Sequence, residues 1–152
     1  MKFFIWNDNL KTGMAEMDRQ HQELIKRINS FVEACIQEPR DFDLMKRTFG
    51  FLDEYVVEHF QLEESLMLKY EFPLMDNHTH DHNEFRKWVA EASDKISQRE
   101  FPESLVMEAN YRLVEWLQLH IRNRDRNLSQ FLQKTAEEKK VPSLLKLIKG
   151  DS

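Results

Sequence analysis

The sequence predicts an all-α protein: an up-down-up-down antiparallel four-helix bundle with an extended N-terminal arm and a short C-terminal tail helix. Only 3 glycines and 4 prolines occur among 152 residues, too few for the many turns of an all-β fold. Apolar residues recur at steps of three and four over four long segments, which is the period of a helix with one buried face. Short connections join these segments, so consecutive helices are expected to run antiparallel.

Residues 1–17 are predicted to form the arm, and the first helix is predicted to begin near Asp18, a typical N-cap residue. It should end near Glu38, because Pro39 disfavours helical backbone in the residue before it. The expected aromatic anchors of the arm are Phe3, Phe4 and Trp6. The expected buried face of the helix carries Met17, His21, Leu24, Ile25, Ile28 and Phe31.

The second helix is predicted over roughly 42–70, with Asp41 as its N-cap, and the third over roughly 76–98, with Asp76 or Asn77 as its N-cap. Pro102 fits the first turn of a fourth helix, which should run to about 134. The bundle would then span 18–134 within a single domain, 1–152, a length that suits one hydrophobic core.

The tail, 135–152, begins with charged residues and continues with an apolar stretch, 144–148. We expect a short helix that caps the bundle. Docking of this stretch to a partner or a membrane is the alternative.

Composition argues against several classes of partner. The net charge is −5, which gives no support for nucleic-acid binding. No segment approaches the roughly 18 apolar residues of a membrane span. The single cysteine, Cys35, cannot form an intrachain disulfide, and the N-terminal apolar run is short for a signal peptide. We therefore expect a cytoplasmic protein in which Cys35 is a small buried apolar residue.

Five of the six histidines lie in helical segments at spacings that suit a metal site: His21, His59, His78, His82 and His120. Residues four apart on a helix differ by about 40° after a full turn and by about 6 Å along the axis. His59 and Glu63, and likewise His78 and His82, can therefore reach a common site. His80 lies about 200° from both of its neighbouring histidines and is expected to face solvent.

His21 on the first helix and His120 with Asp125 on the fourth extend the pattern to all four helices. Burying five imidazoles and two carboxylates without a counter-charge would be very unfavourable, whereas metal ions supply that charge. Such ligands suit iron, but imidazole also binds zinc, copper and nickel.

The spacing of His120 and Asp125 does not fit a regular helix. Residues five apart lie about 140° from each other. We expect a local widening, or π-bulge, between Ile121 and Arg124, a feature common at functional sites. Alternatively, the two side chains approach the metals from opposite sides.

Five motifs stand around these residues: Met14 to His21, His59-Phe60 to Glu63-Glu64 with Met67, Phe72-Pro73, His78 to His82 with Phe85, and Trp116-Leu117 to His120-Ile121 and Asp125. Together they resemble the hemerythrin family, most closely its bacterial single-domain type, over about residues 6–132. All seven ligand positions of the family are filled. The chain departs from the family pattern at Met14 and Met17, where β-branched aliphatics are more usual, in the turn 71–73, and in its longer tail.

The resemblance implies two non-haem iron ions joined by an oxo or hydroxo bridge. His78, His82 and His120 would bind one iron, and His21 and His59 the other, while Glu63 and Asp125 would bridge both. Two octahedral irons offer about twelve positions, and this set with one bridging oxygen fills all but one. The open position would be on the iron that has two histidines.

The resemblance further implies reversible dioxygen binding, for storage, delivery or buffering, by a protein that is not an enzyme. The expected oxygen pocket is lined by Leu24, Phe60, Leu62, Leu117 and Ile121, with Leu117 the strongest candidate. One alternative is an oxygen or redox sensor that signals to a partner protein. Another is a di-iron oxidase or peroxidase. Iron storage fits less well, and the sequence identifies no protein partner.

Overall fold

The computed structural model describes residues 1–150. All of its regular secondary structure is helical. Helix α1 spans Ala15–Ile36, α2 spans Phe42–Lys69, and α3 spans Met75–Ser97. A long fourth helix, α4, covers 103–139, and a short helix, α5, spans Pro142–Lys149. Strands are absent from the described part of the chain. Because α1 packs on α2, α2 packs on α3, and α4 shares their apolar core, the predicted all-α four-helix bundle is confirmed.

The N-terminal arm contains a 3-10 turn, Asp8–Leu10, and is held to the bundle mainly by Phe4. Phe4 is buried, and its backbone N–H and carbonyl both bond to the Asn29 side chain at 2.8 Å. Trp6 packs against the core as a partly buried residue. Phe3 was expected to be an anchor but is 45% exposed, because successive side chains of an extended segment point to opposite sides.

The start of α1 differs from the prediction. Met14 occupies the N-cap position without a side-chain cap, so Asp18 is not the N-cap and already lies inside the first turn. The Asp18 carboxylate instead accepts hydrogen bonds from the Thr12 backbone N–H and hydroxyl, both at 2.8 Å. Asp18 thus ties the arm to the helix.

Of the N-caps predicted for the next two helices, one is confirmed and one is wrong. Asp41 accepts a hydrogen bond from the Leu44 N–H at 3.0 Å and caps α2 as predicted. Leu74 occupies the N-cap position of α3, so the predicted caps at Asp76 and Asn77 are wrong. Asp76 lies in the first turn, where a negative charge interacts favourably with the helix dipole.

Helix α4 is continuous but alternates between two helical geometries. Its α-helical parts are Glu103–Asn110, Leu117–His120 and Arg126–Lys139, and its π-helical parts are Tyr111–Trp116 and Ile121–Asp125. Pro102 is the N-cap rather than a residue of the first turn. The helix continues past the predicted end at 134, because Thr135 and Ala136 are still buried on its inner face.

Helix α5 forms the predicted cap. It packs on α1 and α4 and buries Leu144. The last two residues of the predicted tail, 151 and 152, lie outside the described residues. Across residues 1–150, every helix is too short or too polar to cross a bilayer.

The core consists of two apolar clusters with a polar layer between them. The larger cluster includes Phe4, Leu24, Phe31, Phe49 and Leu117, and the smaller one includes Met14, Met17, Met67, Leu128 and Leu132. Cys35 lies in the larger cluster, as predicted, and burial raises the pKa of its thiol to about 12. The polar layer carries the predicted ligand residues.

Candidate metal centre

All seven predicted ligand side chains meet in the polar layer. Helix α1 contributes His21, α2 contributes His59 and Glu63, α3 contributes His78 and His82, and α4 contributes His120 and Asp125. Each of the seven is between 0% and 4% exposed. His80 is exposed, as predicted, because it lies on the outer face of α3.

The second π segment explains how His120 and Asp125 share one site. A π turn contains about one residue more than an α turn, so residues five apart come to the same face. His120 Nε2 and Asp125 Oδ1 accordingly lie 3.2 Å apart. The predicted π-bulge is present at Ile121–Asp125, and the alternative approach from opposite sides is not needed.

The two oxygens of Asp125 face different histidines. Oδ2 lies 2.8 Å from His21 Nε2 and 3.7 Å from His59 Nε2. Oδ1 lies 3.2 Å from the Nε2 atoms of both His78 and His120. This carboxylate therefore stands between a group of histidines on α1 and α2 and another on α3 and α4.

Glu63 has a similar position. Its Oε1 lies 3.0 Å from His59 Nε2 and 3.5 Å from His82 Nε2, while its Oε2 lies 3.5 Å from His78 Nε2. The donor atoms form two groups, each compact enough for one metal ion, that share Asp125. One group is Glu63, His78, His82, His120 and Asp125, and the other is His21, His59 and Asp125.

The close approach of histidines and carboxylates shifts the pKa values of His59 and Asp125. Burial alone lowers the pKa of His59, but the charge of Glu63 and contact with Asp125 outweigh it and raise that pKa to about 10. Burial alone raises the pKa of Asp125, but the charge of His120 and other histidine contacts hold it well below its usual range. The carboxylates thus stay ionised and attract cations, either protons on the imidazoles or metal ions.

The donor atoms are better placed to bind metal ions than to form hydrogen bonds with one another. Among residues 1–150, the Nε2 atoms of His78, His82 and His120 lack a hydrogen-bond partner, and so do both oxygens of Glu63. Leaving a buried polar group unpaired costs roughly 1–3 kcal/mol. Metal ions that accept these lone pairs would remove that cost, and the mixed nitrogen and oxygen set fits a transition metal.

A second layer of contacts fixes the rings, and sequence reasoning gave its residues no role. Gln20 Oε1 bonds to His59 Nδ1 at 2.9 Å, and Glu64 Oε2 to His82 Nδ1 at 2.7 Å. Trp116 stacks on His120 with ring centres 5.1 Å apart. Gln20 and Glu64 each adjoin a predicted ligand in sequence, but their partners lie on another helix.

Four of the five predicted pocket residues lie together. Leu24, Phe60, Leu117 and Ile121 are buried in the larger cluster, beside the polar layer. Leu62 is only partly buried and packs against the smaller cluster instead. Leu62 lies two residues after Phe60 and therefore about 200° around α2 from it, so the two side chains point in nearly opposite directions.

Comparisons with known proteins agree with this site. A family model described as the hemerythrin HHE cation binding domain matches residues 12–132. The chain is 29% identical over 125 residues to a bacteriohemerythrin of Aquifex aeolicus (strain VF5), covering 80% of this chain and 92% of that protein. It is also 29% identical over 125 residues to a bacteriohemerythrin of Pseudomonas aeruginosa (strain LESB58), covering 82% and 78%.

Solved structures show the same fold. A crystal structure of a wild-type hemerythrin matches with a TM-score of 0.71 and 20% identity, covering 82% of this chain and 94% of that one. A crystal structure of a hemerythrin mutant matches with a TM-score of 0.72 and 20% identity, covering 85% and 99%. With the family match across most of its length and a compact histidine–carboxylate cluster in its core, the chain belongs to the hemerythrin family.

Proposed function

We propose that this chain binds dioxygen reversibly at a non-haem di-iron centre and serves to store, deliver or buffer it. The observation that carries the proposal is the pair of adjacent donor groups that share Asp125. One group contains three histidines and the other two, so the ligand supply is unequal. The name bacteriohemerythrin, given to the relatives from Aquifex and Pseudomonas, supports the proposal.

In this proposal His78, His82 and His120 would hold one iron, and His21 and His59 would hold the other. Glu63 and Asp125 would serve both irons, in keeping with the way their oxygens face both groups. When bound, the two irons supply an open coordination position and the electrons that dioxygen binding needs.

The surrounding side chains would keep the bound oxygen away from water and protons. Leu24, Phe60, Leu117 and Ile121 are each no more than 1% exposed and form an apolar wall on one side of the polar layer. These four side chains carry no acid or base, so the wall offers no proton to oxygen. Leu117 stands close to one helical turn before His120, which makes it the strongest candidate for direct contact with oxygen.

Binding is favoured over oxidation by the composition of the ligand set. Five imidazoles, which are neutral when they bind a metal, and two carboxylates make up the ligand set, whereas ferritin-like di-iron sites use more carboxylates. A larger number of anionic oxygens would favour the higher oxidation states that oxidases use. We therefore propose a binding protein rather than an enzyme.

The test is to load the chain with iron, reduce it, add oxygen and record the visible absorption. We expect a charge-transfer band that appears with oxygen and disappears when oxygen is removed. Irreversible oxidation with release of hydrogen peroxide would identify an oxidase instead. Fewer than about two irons per chain, with no band, would contradict both.

A further inference from the structure

The ring of His82 is held on three sides. Phe60 stacks on it with ring centres 3.8 Å apart and planes 6° apart. Its outward nitrogen, Nδ1, lies 2.7 Å from Glu64 Oε2, while its inward nitrogen, Nε2, faces Glu63. Because an ionised carboxylate only accepts hydrogen bonds, Nδ1 carries the proton, and the Nε2 lone pair points into the site.

Arg86 shares the Glu64 carboxylate with His82 and partly neutralises its charge. The Arg86 Nη2 lies 2.7 Å from the same Glu64 oxygen that bonds His82. The Arg86 guanidinium also stands over the Phe60 ring, 5.3 Å from its centre. Phe60, Glu64, His82 and Arg86 therefore form a closed set of contacts between α2 and α3, which we call the His82 clamp.

No other ligand histidine within residues 1–150 has such a partner on its outward nitrogen. The Nδ1 of His59 bonds to Gln20, whose side-chain amide is neutral. The Nδ1 atoms of His21, His78 and His120 have no hydrogen-bond partner in the described chain. The one outward carboxylate thus belongs to the half of the centre that has three histidines.

A carboxylate that accepts a hydrogen bond from a ligand imidazole makes that imidazole a stronger donor. Stronger donation stabilises ferric iron over ferrous iron and lowers the reduction potential, and outer hydrogen bonds are one of the levers by which proteins set such potentials. A neutral amide acts in the same direction but more weakly, because bonds to charged groups are the stronger ones.

We infer that Glu64 is a positioning residue that acts through His82 to lower the reduction potential of the three-histidine metal position relative to the two-histidine position. This inference rests on the proposed function, because it concerns the same two ions. It assigns the open position of the proposed oxygen site to the more readily ferrous iron.

A matched control is present on the neighbouring face of α3. Asp81 and Arg124 form a carboxylate–guanidinium pair at 2.7 Å that joins α3 to α4. Its side chains are 27% and 35% exposed, close to the 24% and 31% of Glu64 and Arg86. Within the described chain, Asp81 is bonded to Arg124 and to no ligand histidine. Asp81→Asn therefore removes a similar charge without touching a ligand ring.

The experiment compares the full chain with its Glu64→Gln and Asp81→Asn variants. Titration of the metal-free chain with cobalt(II) should show two ions bound by the wild type. Glu64→Gln should weaken one of the two by about 10–100-fold and leave the other unchanged. In the iron-loaded chain it should raise the potential of one reduction step by about 59 mV for each tenfold change in the ferric-to-ferrous affinity ratio.

Two further variants should each lower a reduction potential, whereas Glu64→Gln should raise one. Gln20→Glu places a carboxylate behind His59 and should lower the potential of the other reduction step. Arg86→Gln frees the Glu64 charge to act on His82 and should lower the step that Glu64→Gln raises. If Glu64→Gln does not fold, the Arg86→Gln result decides.

Unchanged potentials in Glu64→Gln, an equal shift in Asp81→Asn, or a raised or unchanged step in Arg86→Gln would each overturn the inference. Those results would leave the proposed function standing, provided that the wild type binds two ions. Fewer than two ions bound by the wild type would overturn the proposed function and this inference together.

Discussion

The two halves of the metal centre are supported in different ways. On α3 and α4, His82 is stacked on Phe60 and His120 on Trp116, and Glu64 bonds the outer edge of the His82 ring. On α1 and α2, His21 and His59 meet edge to face with ring centres 4.7 Å apart. Their outward nitrogens have one partner between them, Gln20. The half with more ligands is also the half with more ring support.

The number of ligand histidines and the extent of ring support therefore favour the same half of the centre. A position with three histidines, two of which have a stacked ring, suits an ion that stays in place. Under the proposed function, a position with two less supported histidines would suit an ion that changes its ligands when oxygen binds.

Asp125 lies between the two halves, so its substitution should have the largest effect on metal binding. Asp125→Ala removes both oxygens that face the two histidine groups. We expect the weaker of the two ions to lose more than about 100-fold in affinity, beyond the range seen for residues outside the ligand set. Calorimetric titration with cobalt(II) measures this, with Asp81→Asn as the control. Two ions bound with unchanged affinity would show that Asp125 is not a shared ligand.

Single histidine substitutions should separate the halves. His59→Ala leaves one histidine at its position, whereas His82→Ala leaves two at the other. We therefore expect iron content to fall to about one per chain in His59→Ala, with loss of the oxygen-dependent absorption band, and His82→Ala to retain more of its second iron. Iron analysis and visible absorption of both variants check this. Equal iron loss in the two would mean that the halves are equivalent.

The stability of the metal-free chain should depend on pH through the same residues. The pKa of His59 is raised to about 10, so its stabilising effect is full below its unfolded pKa of about 6.5 and is lost as pH rises to about 10. The pKa of Asp125 is lowered, so its contribution is present above about 3.9 and is lost as pH falls further.

The free energy of unfolding should therefore be highest between about pH 4 and 6.5 and should fall toward pH 10 by on the order of 5 kcal/mol. Denaturant unfolding at each pH measures it, and His59→Gln should flatten the alkaline decline. Cobalt(II) affinity should change in the opposite direction, rising with pH, because metal binding displaces protons from imidazoles. A metal affinity independent of pH would contradict the assignment of these histidines as ligands.

The smallest effect is expected from the apolar wall. Leu117→Ala opens space beside His120, so we expect water to enter and the oxygen-bound form to autoxidise roughly tenfold faster, a change of about 1.4 kcal/mol. Leu52→Ala is the control, since Leu52 is a buried leucine of the same cluster about two helical turns before His59. An unchanged rate in Leu117→Ala, or an equal increase in Leu52→Ala, would contradict the pocket assignment.

The sequence was sufficient to predict the four bundle helices, because apolar spacing along single helices indicates them. Spacing also paired His59 with Glu63 and His78 with His82, whereas the full set of seven side chains was expected from the resemblance to the hemerythrin family. The π segment at Ile121–Asp125 could be predicted because His120 and Asp125 had to share a face. The other π segment, Tyr111–Trp116, contains no such pair, so nothing in the sequence indicated it.

What the sequence could not predict depends on contacts between distant segments. Asp18 has the residue type of an N-cap, but its carboxylate bonds Thr12 of the arm. Leu62 has the residue type of a pocket wall, but its direction on α2 places it with the smaller cluster. In the sequence Glu64 looks like an exposed acidic residue of a helix. Its contact with His82 depends on the packing of α3 against α2.

The most direct test of the proposed function is the amount of oxygen that the reduced, two-iron chain takes up. We expect one dioxygen per chain, or one for every two irons, released in full under vacuum and taken up again over repeated cycles. Uptake that continues beyond one per chain, or iron that stays oxidised after oxygen is removed, would show an oxidase and contradict reversible binding.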